Sequence, residues 1–168
     1  FFQREQFGGI LTDIASHQID QFLHYTGSDT AQITHAFTAN YANQKDFDLQ
    51  DFGEINLRSE QGTGYIRVDW FTPDALPTWG DGRLTILGTE GYLELRKYVD
   101  VGGGKGTDYL ILVNQSKSEK IDASDAGLPY FSCLANDIQH RSETAMTQAH
   151  CFTVMELALL AQQMAELE

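Results

Sequence analysis

The chain has 168 residues, of which 42% are hydrophobic and 21% charged, and its formal net charge at pH 7 is −13. Its length suits one compact domain, and its composition is that of a globular protein. The 11 Lys and Arg residues are scattered, so they form no basic surface for nucleic-acid phosphates or anionic lipids, and we expect neither nucleic acid nor a membrane as a partner. No apolar run approaches the ~20 residues of a membrane-spanning helix.

The sequence begins with FFQREQFGG and has no initiator methionine. We interpret it as a segment of a longer protein, whose targeting signals would lie outside this chain. Its two cysteines, Cys133 and Cys151, lie in separate apolar stretches without the spacing of metal ligands. We expect both to be reduced core residues, which is consistent with a cytoplasmic location.

Three stretches have the apolar periodicity of helices. The first runs from about Ile10 to Tyr25 and is ended by Gly27, and the second runs from Phe131 to Arg141. The third runs from about Thr147 to Leu167, and its apolar residues recur mostly every three or four positions, as in a half-buried helix. These apolar residues are Phe152, Met155, Leu159, Leu160, Met164 and Leu167.

Between the first and second helices the apolar period changes to two, which is typical of strands. The strand-like runs are 33–41, Glu54–Arg58, Gly64–Phe71, Arg83–Leu87, Tyr92–Tyr98 and Tyr109–Val113. Their connections are often too short for parallel crossovers. We therefore predict an α+β fold with an open, mostly antiparallel (mixed) β-sheet of about six strands and with helices packed on one face. We expect residues 1–168 to form one domain.

The glycine-rich stretch GGGKG at positions 102–106 does not match a nucleotide-binding loop. Lys105 is followed by Gly106 instead of Ser or Thr, and Thr107 occupies the place of the third glycine in the dinucleotide fingerprint. A strand, not a helix, is predicted to follow it. We interpret the stretch as a mobile hairpin loop and expect no cofactor-binding residues in this chain.

The first predicted helix carries an unusual polar stripe. At ~100° per residue, Asp13, His17, Asp20 and His24 fall within roughly 60° of one another. A carboxylate one turn from an imidazole can fix its tautomer and raise its basicity, which suits general acid–base catalysis. The Gly8–Gly9 pair favours a functional role, because glycines allow a ligand or another backbone to approach the start of the helix closely.

Two other interpretations of the stripe stay open. It could be the solvated polar face of an amphipathic helix. It could also bind zinc, although a single helix with neither Cys nor a His pair four residues apart is an unusual zinc site, so we predict no metal.

The pattern G-G-x-x-x-D-x-x-x-H-x-x-D that begins at Gly8 resembles the second signature of the Gfo/Idh/MocA family, named after glucose–fructose oxidoreductase, inositol dehydrogenase and a rhizopine-catabolism protein. LTILGTEGYLELR, at positions 84–96, resembles the sheet hairpin of this family, and the helix after TAMTQAHCF resembles its closing helix. Members are two-domain NAD(P)-dependent enzymes with a Rossmann domain followed by an α+β domain. The resemblance covers nearly the whole chain in order.

The resemblance implies that residues 1–168 are a substrate-binding and oligomerisation C-terminal domain, and that the N-terminal Rossmann domain is absent from this chain. His17 matches the catalytic acid/base of the family, and Asp13 matches the aspartate that contacts or orients a substrate hydroxyl. Asp20 is assigned a structural role. NAD or NADP would be bound mainly by the missing domain, and the substrate would be a sugar, a polyol or a related hydroxy compound. A homodimer or homotetramer through the open sheet face is also implied.

A second candidate region, DWFTPDALPTWGDGR, lies between the third and fourth predicted strands. Aromatic rings beside carboxylates and an arginine suit a sugar, whose C–H faces stack while its hydroxyls form hydrogen bonds. Trp70, Trp79 and Arg83 are therefore candidate substrate-binding residues. The alternative is a rigid loop whose tryptophans cover the edge of the sheet.

The sequence is also compatible with a different class of protein. The chain could be a non-catalytic interaction module that dimerises through its sheet, with the polar stripe only solvated. The activity of the parent protein with His17 replaced separates this class from the enzyme.

Overall fold

The computed structural model describes residues 2–104 and 107–167, so Lys105 and Gly106 of the predicted hairpin loop lie outside the described residues. It contains both helices and strands, which confirms the α+β class. The helical elements are α1 (Arg4–Phe7), a π-helical turn (Leu11–Ala15), α2 (Ser16–Thr26), α3 (Tyr130–His140) and α4 (Gln148–Ala165). The strands are β1 (Gln32–Ala39), β2 (Phe52–Arg58), β3 (Thr63–Asp69), β4 (Gly82–Leu87), β5 (Gly91–Lys97), β6 (Tyr109–Asn114) and β7 (Ser118–Asp122).

The described strands form two open sheets, β1-β2-β3 and β4-β5-β6-β7, and every pair is antiparallel. The sequence predicted the antiparallel pairing but placed about six strands in one sheet. The additional strand β7 pairs with β6 through its backbone, and all five of its residues are exposed. Because none of its side chains is buried, the sequence gives no alternation by which to find it.

The chain divides into two compact units, and each sheet belongs to one of them. The first unit comprises Phe1–Phe71 and Tyr130–Glu168, and the second comprises Thr72–Pro129. In the first unit, α4 and the helical residues 10–26 pack on one face of β1-β2-β3. The buried apolar side chains of this core are Ile10, Leu11, Ala15, Ile19, Leu23, Ile33, Ala36, Ile55, Leu57, Ile66, Val68, Val154, Leu157, Ala158 and Ala161.

Helix α4 buries a different side from the predicted one. Five of the six apolar residues expected to be half-buried are exposed: Phe152 (70%), Met155 (42%), Leu159 (58%), Leu160 (48%) and Leu167 (82%). The buried positions are Val154, Leu157, Ala158, Ala161 and Gln162. The prediction was wrong because α4 is apolar on both sides, and periodicity alone cannot choose between two apolar stripes. Among the described residues, no helix combines the length and apolar content needed to cross a bilayer.

Two large apolar side chains of α3, Phe131 and Ile138, are also exposed, at 75% and 67%. The buried residue of α3 is Asp137, whose carboxylate accepts hydrogen bonds from Ser142, Thr144 and Ala145 at 2.7–2.8 Å. These bonds fold the connection from α3 to α4 over the helix, and the backbone donors of Ala145 and Thr144 lower the pKa of Asp137 well below its usual range.

The cysteines do not lie in the core as predicted. Cys133 on α3 is half-buried, Cys151 on α4 is exposed, and both are free thiols. On α4, Cys151 lies outside the set of residues that are buried in the core.

The connection between β1 and β2 is organised by Asp51, whose side chain is completely buried. Its carboxylate accepts hydrogen bonds from the backbone N–H groups of Tyr41 and Ala42, both at 2.8 Å, and from the side-chain amide of Asn43 at 3.1 Å. Burial by itself raises the pKa of Asp51, but these donors favour the anion more strongly and hold the pKa below its usual value.

We expect Asp51→Asn to cost about 2 kcal/mol of unfolding free energy at pH 7, because an amide NH₂ cannot accept the bonds that one carboxylate oxygen now receives. The folded-state pKa is depressed, so the stabilisation by Asp51 is complete above the unfolded pKa of about 4 and is lost as the pH falls through the folded pKa. Urea unfolding of both proteins at pH 7 and pH 3 measures this. A difference between variant and wild type that does not shrink at pH 3 would contradict the role of the ionised carboxylate.

Candidate functional site

The candidate site lies on one helical segment, residues 10–26, which includes the π-helical turn and α2. The segment confirms the helix predicted from Ile10 to Tyr25. It ends at Gly27 as predicted, in the left-handed conformation at φ 66°. There the N–H of Ser28 donates to the carbonyl of Leu23 at 3.0 Å, which closes the helix.

Asp13 and His17 are both exposed, on the π-helical turn and the first turn of α2 respectively. Within the described part of the chain, neither side chain makes a hydrogen bond or an ion pair, with the other or with a third group. The helix therefore brings the two groups together one turn apart, but the contact between them that the spacing allows is not formed. Both are available to a ligand.

The π-helical turn was not predicted from the sequence. A π turn closes with i→i+5 hydrogen bonds, so it holds one more residue than an α turn and rotates the side chains that follow it. Asp13 lies inside this turn and His17 just after it. The relative placement of Asp13 and His17 therefore depends on a local backbone geometry that the residue types do not predict. Such π turns occur frequently at functional sites.

The start of the segment is covered by a side chain of α4. The amide oxygen of Gln162 accepts the N–H of Leu11 at 3.1 Å, and that of Gln50 accepts the N–H of Ile10 at 3.0 Å. Gly9, at φ 109°, makes room for this contact, because a Cβ there would lie 2.2 Å from the Gln162 oxygen. Gly9 thus admits a buried glutamine where the sequence suggested a backbone or a ligand, and two N–H groups of the first turn are already satisfied.

Asp20, in the middle of α2, pairs with a residue that the sequence analysis missed. Its Oδ1 lies 2.6 Å from Nε2 of His150 on α4, and both side chains are partly buried. The structural role predicted for Asp20 is consistent with this contact. His150 is 130 positions away, so spacing cannot find it. No group of three or more His, Cys, Asp or Glu side chains suited to hold a metal occurs within residues 2–104 and 107–167.

The three other predicted substrate-binding residues are divided between the units. Trp70 follows β3 in the first unit, is 36% exposed, and its backbone N–H donates to the carbonyl of Asp51 at 2.9 Å. Trp79 and Arg83 belong to the second unit. Trp79 is 90% exposed, and the Arg83 guanidinium pairs with Asp81.

An open depression of about 590 Å³ is lined by residues 27–32 and 58–61. It lies at the C-terminal end of α2, ten residues after His17, which is about 15 Å along a helix. The depression therefore does not include Asp13 or His17, whose side chains lie on the exposed surface of the helix.

The structure thus defines an α+β domain whose first long helix presents a carboxylate and an imidazole to solvent. The chain belongs to the GFO/IDH/MocA C-terminal domain family, whose sequence profile matches residues 1–94. This confirms the family resemblance found in the G-G-x-x-x-D-x-x-x-H-x-x-D pattern.

Three solved structures, each of a "putative oxidoreductase", have similar folds. The protein from Erwinia carotovora atroseptica SCRI1043 is 47% identical, with a TM-score of 0.93 over 98% of this chain and 50% of that one. The protein from Thermotoga maritima is 19% identical, with a TM-score of 0.80 over 98% of this chain and 47% of that one. The protein from Klebsiella pneumoniae is 16% identical, with a TM-score of 0.64 over 94% of this chain and 47% of that one.

The chain spans about half the length of these three proteins. At 19% and 16% identity, the Thermotoga and Klebsiella proteins show the shared fold alone. No curated protein matches the chain.

Proposed function

We propose that this chain is the substrate-binding C-terminal half of an NAD(P)-dependent oxidoreductase that acts on a sugar, a polyol or a related hydroxy compound. The observation that carries the proposal is the Asp13–His17 pair, one turn apart and open to solvent on a helix whose start is fixed by hydrogen bonds from the side chains of Gln50 and Gln162. Family membership and the fold shared with the Erwinia protein support it.

Oxidation of a carbinol carbon removes a hydride from carbon and a proton from oxygen, and this chain is suited to the proton. The nicotinamide, when bound, supplies the hydride acceptor. The imidazole of His17 takes the hydroxyl proton and returns it in the reverse direction, a contribution worth about 10²–10⁴-fold when the group is well placed. Asp13 accepts a hydrogen bond from a substrate hydroxyl or from the imidazole, which holds the reacting group in place.

The N–H groups of Gly102 and Gly103 in the glycine-rich stretch are not free to bind nucleotide phosphates. In the glycine-rich stretch, the N–H groups of Gly102 and Gly103 both donate to Asp100 at 2.9 Å, so they are occupied by this chain's own carboxylate and carbonyl. A phosphate site needs such N–H groups free, and a chain with net charge −13 repels phosphate. The nucleotide would therefore be held by another part of the full-length protein.

The sheet faces are suited to self-association. On the face of the first sheet opposite the core, Tyr65 is 60% exposed and donates to Glu54 at 2.8 Å, and Arg67 pairs with Asp69 at 3.0 Å. Aromatic surface with polar groups already paired resembles the composition of protein interfaces, because burying such groups leaves few unsatisfied atoms. This supports a homodimer or homotetramer in which sheet faces pack together.

Residues 1–168 alone are expected to be dimeric or tetrameric at micromolar concentration and to bind neither NAD(H) nor NADP(H), whereas the full-length protein binds one of them. Light scattering coupled to size exclusion measures the first, and calorimetric titration of both proteins measures the second. A strict monomer would refute the role of the sheet faces. Micromolar nucleotide affinity in residues 1–168 would contradict the proposal that another part of the full-length protein holds the nucleotide.

A further inference from the structure

Helix α4 contacts the helical segment 10–26 through two polar contacts that are far apart. Gln162 meets the N–H of Leu11 at the start of the segment, and His150 meets Asp20 near its middle. The two contact residues on α4 are twelve positions apart, or about 18 Å along the helix. Their partners on the segment are nine positions apart, or about 13 Å, and follow each other in the opposite chain direction. The two helices therefore lie side by side and antiparallel, and the polar contacts bracket His17.

The other core residues of both helices are apolar. Ala15 and Ile19 on the segment and Leu157, Ala158 and Ala161 on α4 are buried in the same apolar core. Burial of apolar surface is favourable but non-directional, so it defines the rotation and register of one helix against the other less sharply than directional hydrogen bonds do.

We propose that His150 is a positioning residue for His17: by binding Asp20, one turn further along α2, it fixes the rotation and register of the helix that presents the imidazole to substrate. The inference rests on the proposed function, since it assigns His150 a role only if His17 handles the proton. His150 acts through Asp20 and α2 and does not itself contact the reacting atoms. Misplacement by about 1 Å is enough to reduce turnover up to about 100-fold.

The test uses the full-length protein with NAD⁺ or NADP⁺ and the best substrate from a panel of aldoses and alditols. His150→Leu, which keeps apolar bulk but loses the donor, should lower kcat about tenfold or more with the KM for the nucleotide unchanged. His150→Gln, whose side-chain amide can still donate to Asp20, should keep at least about a third of kcat. Asp20→Ala should match His150→Leu, and the double variant should lose no more than either single variant, because both remove the same contact.

His24→Leu is the matched control, because His24 lies on the same helix, is exposed, and packs its ring edge-on against Tyr25, with no side-chain hydrogen bond or ion pair among the described residues. It should stay within about twofold of wild type. Wild-type kcat in both His150→Leu and Asp20→Ala overturns the inference, as do losses that multiply in the double variant or a His150→Gln variant as slow as His150→Leu. His17→Ala in the same assay distinguishes failure of the positioning role of His150 from failure of the proposed function. If it is inactive while His150→Leu is not, only the positioning role fails, and if it is fully active, the proposed function itself fails.

Discussion

Replacement of His17 by alanine in the full-length protein is expected to lower turnover by at least about 100-fold while leaving thermal unfolding nearly unchanged. Turnover falls because the variant has no group at this position to take the hydroxyl proton. Stability holds because the side chain is exposed and makes no hydrogen bond or ion pair within the described residues. Steady-state kinetics and a melting curve on the same preparation measure both quantities.

His24→Ala is the control for this substitution, since it removes an exposed imidazole two turns further along the same helix. It should retain wild-type turnover. Wild-type turnover in His17→Ala would remove the acid/base assignment and favour the non-catalytic interaction module. A large loss accompanied by a lower melting temperature would mean that the side chain supports the fold.

Gly9→Ala is expected to have the largest effect on stability, about 3 kcal/mol or more of unfolding free energy. The new Cβ would lie 2.2 Å from the Gln162 amide oxygen, at a residue whose φ of 109° is unfavourable for any side chain. Gln162 is 4% exposed and bonded to Leu11, Gln50 and Glu166, so it cannot move aside without breaking those contacts. Urea unfolding measures the loss.

Gly27→Ala is the matched control for this prediction. Gly27 also has a left-handed φ, but an added Cβ would meet nothing within 4 Å, so only the backbone cost of about 1–2 kcal/mol is expected. Equal losses in the two variants would show that Gln162 does not press against Gly9.

The features predicted correctly from the sequence depend on local patterns. The strand-like runs Gly64–Phe71 and Tyr92–Tyr98 located β3 and β5 to within two residues. In β3 this works because a strand with one buried face records that face in every second side chain. Gly27 marked the end of α2 because few other residues adopt a left-handed φ at low cost. The four-residue spacing of Asp13 and His17 predicted an acid–base pair on one side of a helix, and the role of this pair stays a prediction.

The features that were missed depend on contacts distant in sequence or on ambiguous patterns. The pairing of Asp20 with His150 and the covering of Gly9 by Gln162 join residues more than 120 positions apart. Helix α4 is apolar on both sides, so only its packing partners decide which side is buried. Trp79 and Arg83 belong to a different unit from His17, a division that the prediction of one domain did not include.

Because α4 is apolar on both sides, the side that does not pack on the sheet is exposed and apolar. Phe152, Met155 and Leu159 form an apolar stripe one to two turns apart that the described residues leave open. An apolar stripe of this kind usually marks a contact surface, since isolated soluble proteins seldom leave several large apolar side chains together in water. The chain also spans only about half of the three similar structures.

The most direct test of the proposed function follows the hydrogen on the carbinol carbon. The full-length protein is given a sugar or polyol deuterated at that carbon together with NAD⁺ or NADP⁺, and the reduced nicotinamide is analysed by mass spectrometry. Direct hydride transfer predicts one deuterium in each reduced nicotinamide, because the carbon-bound hydrogen moves to the ring while only the hydroxyl proton passes to His17 and water. Absence of nicotinamide reduction with every substrate, or deuterium appearing in the solvent instead of the nicotinamide, would contradict it.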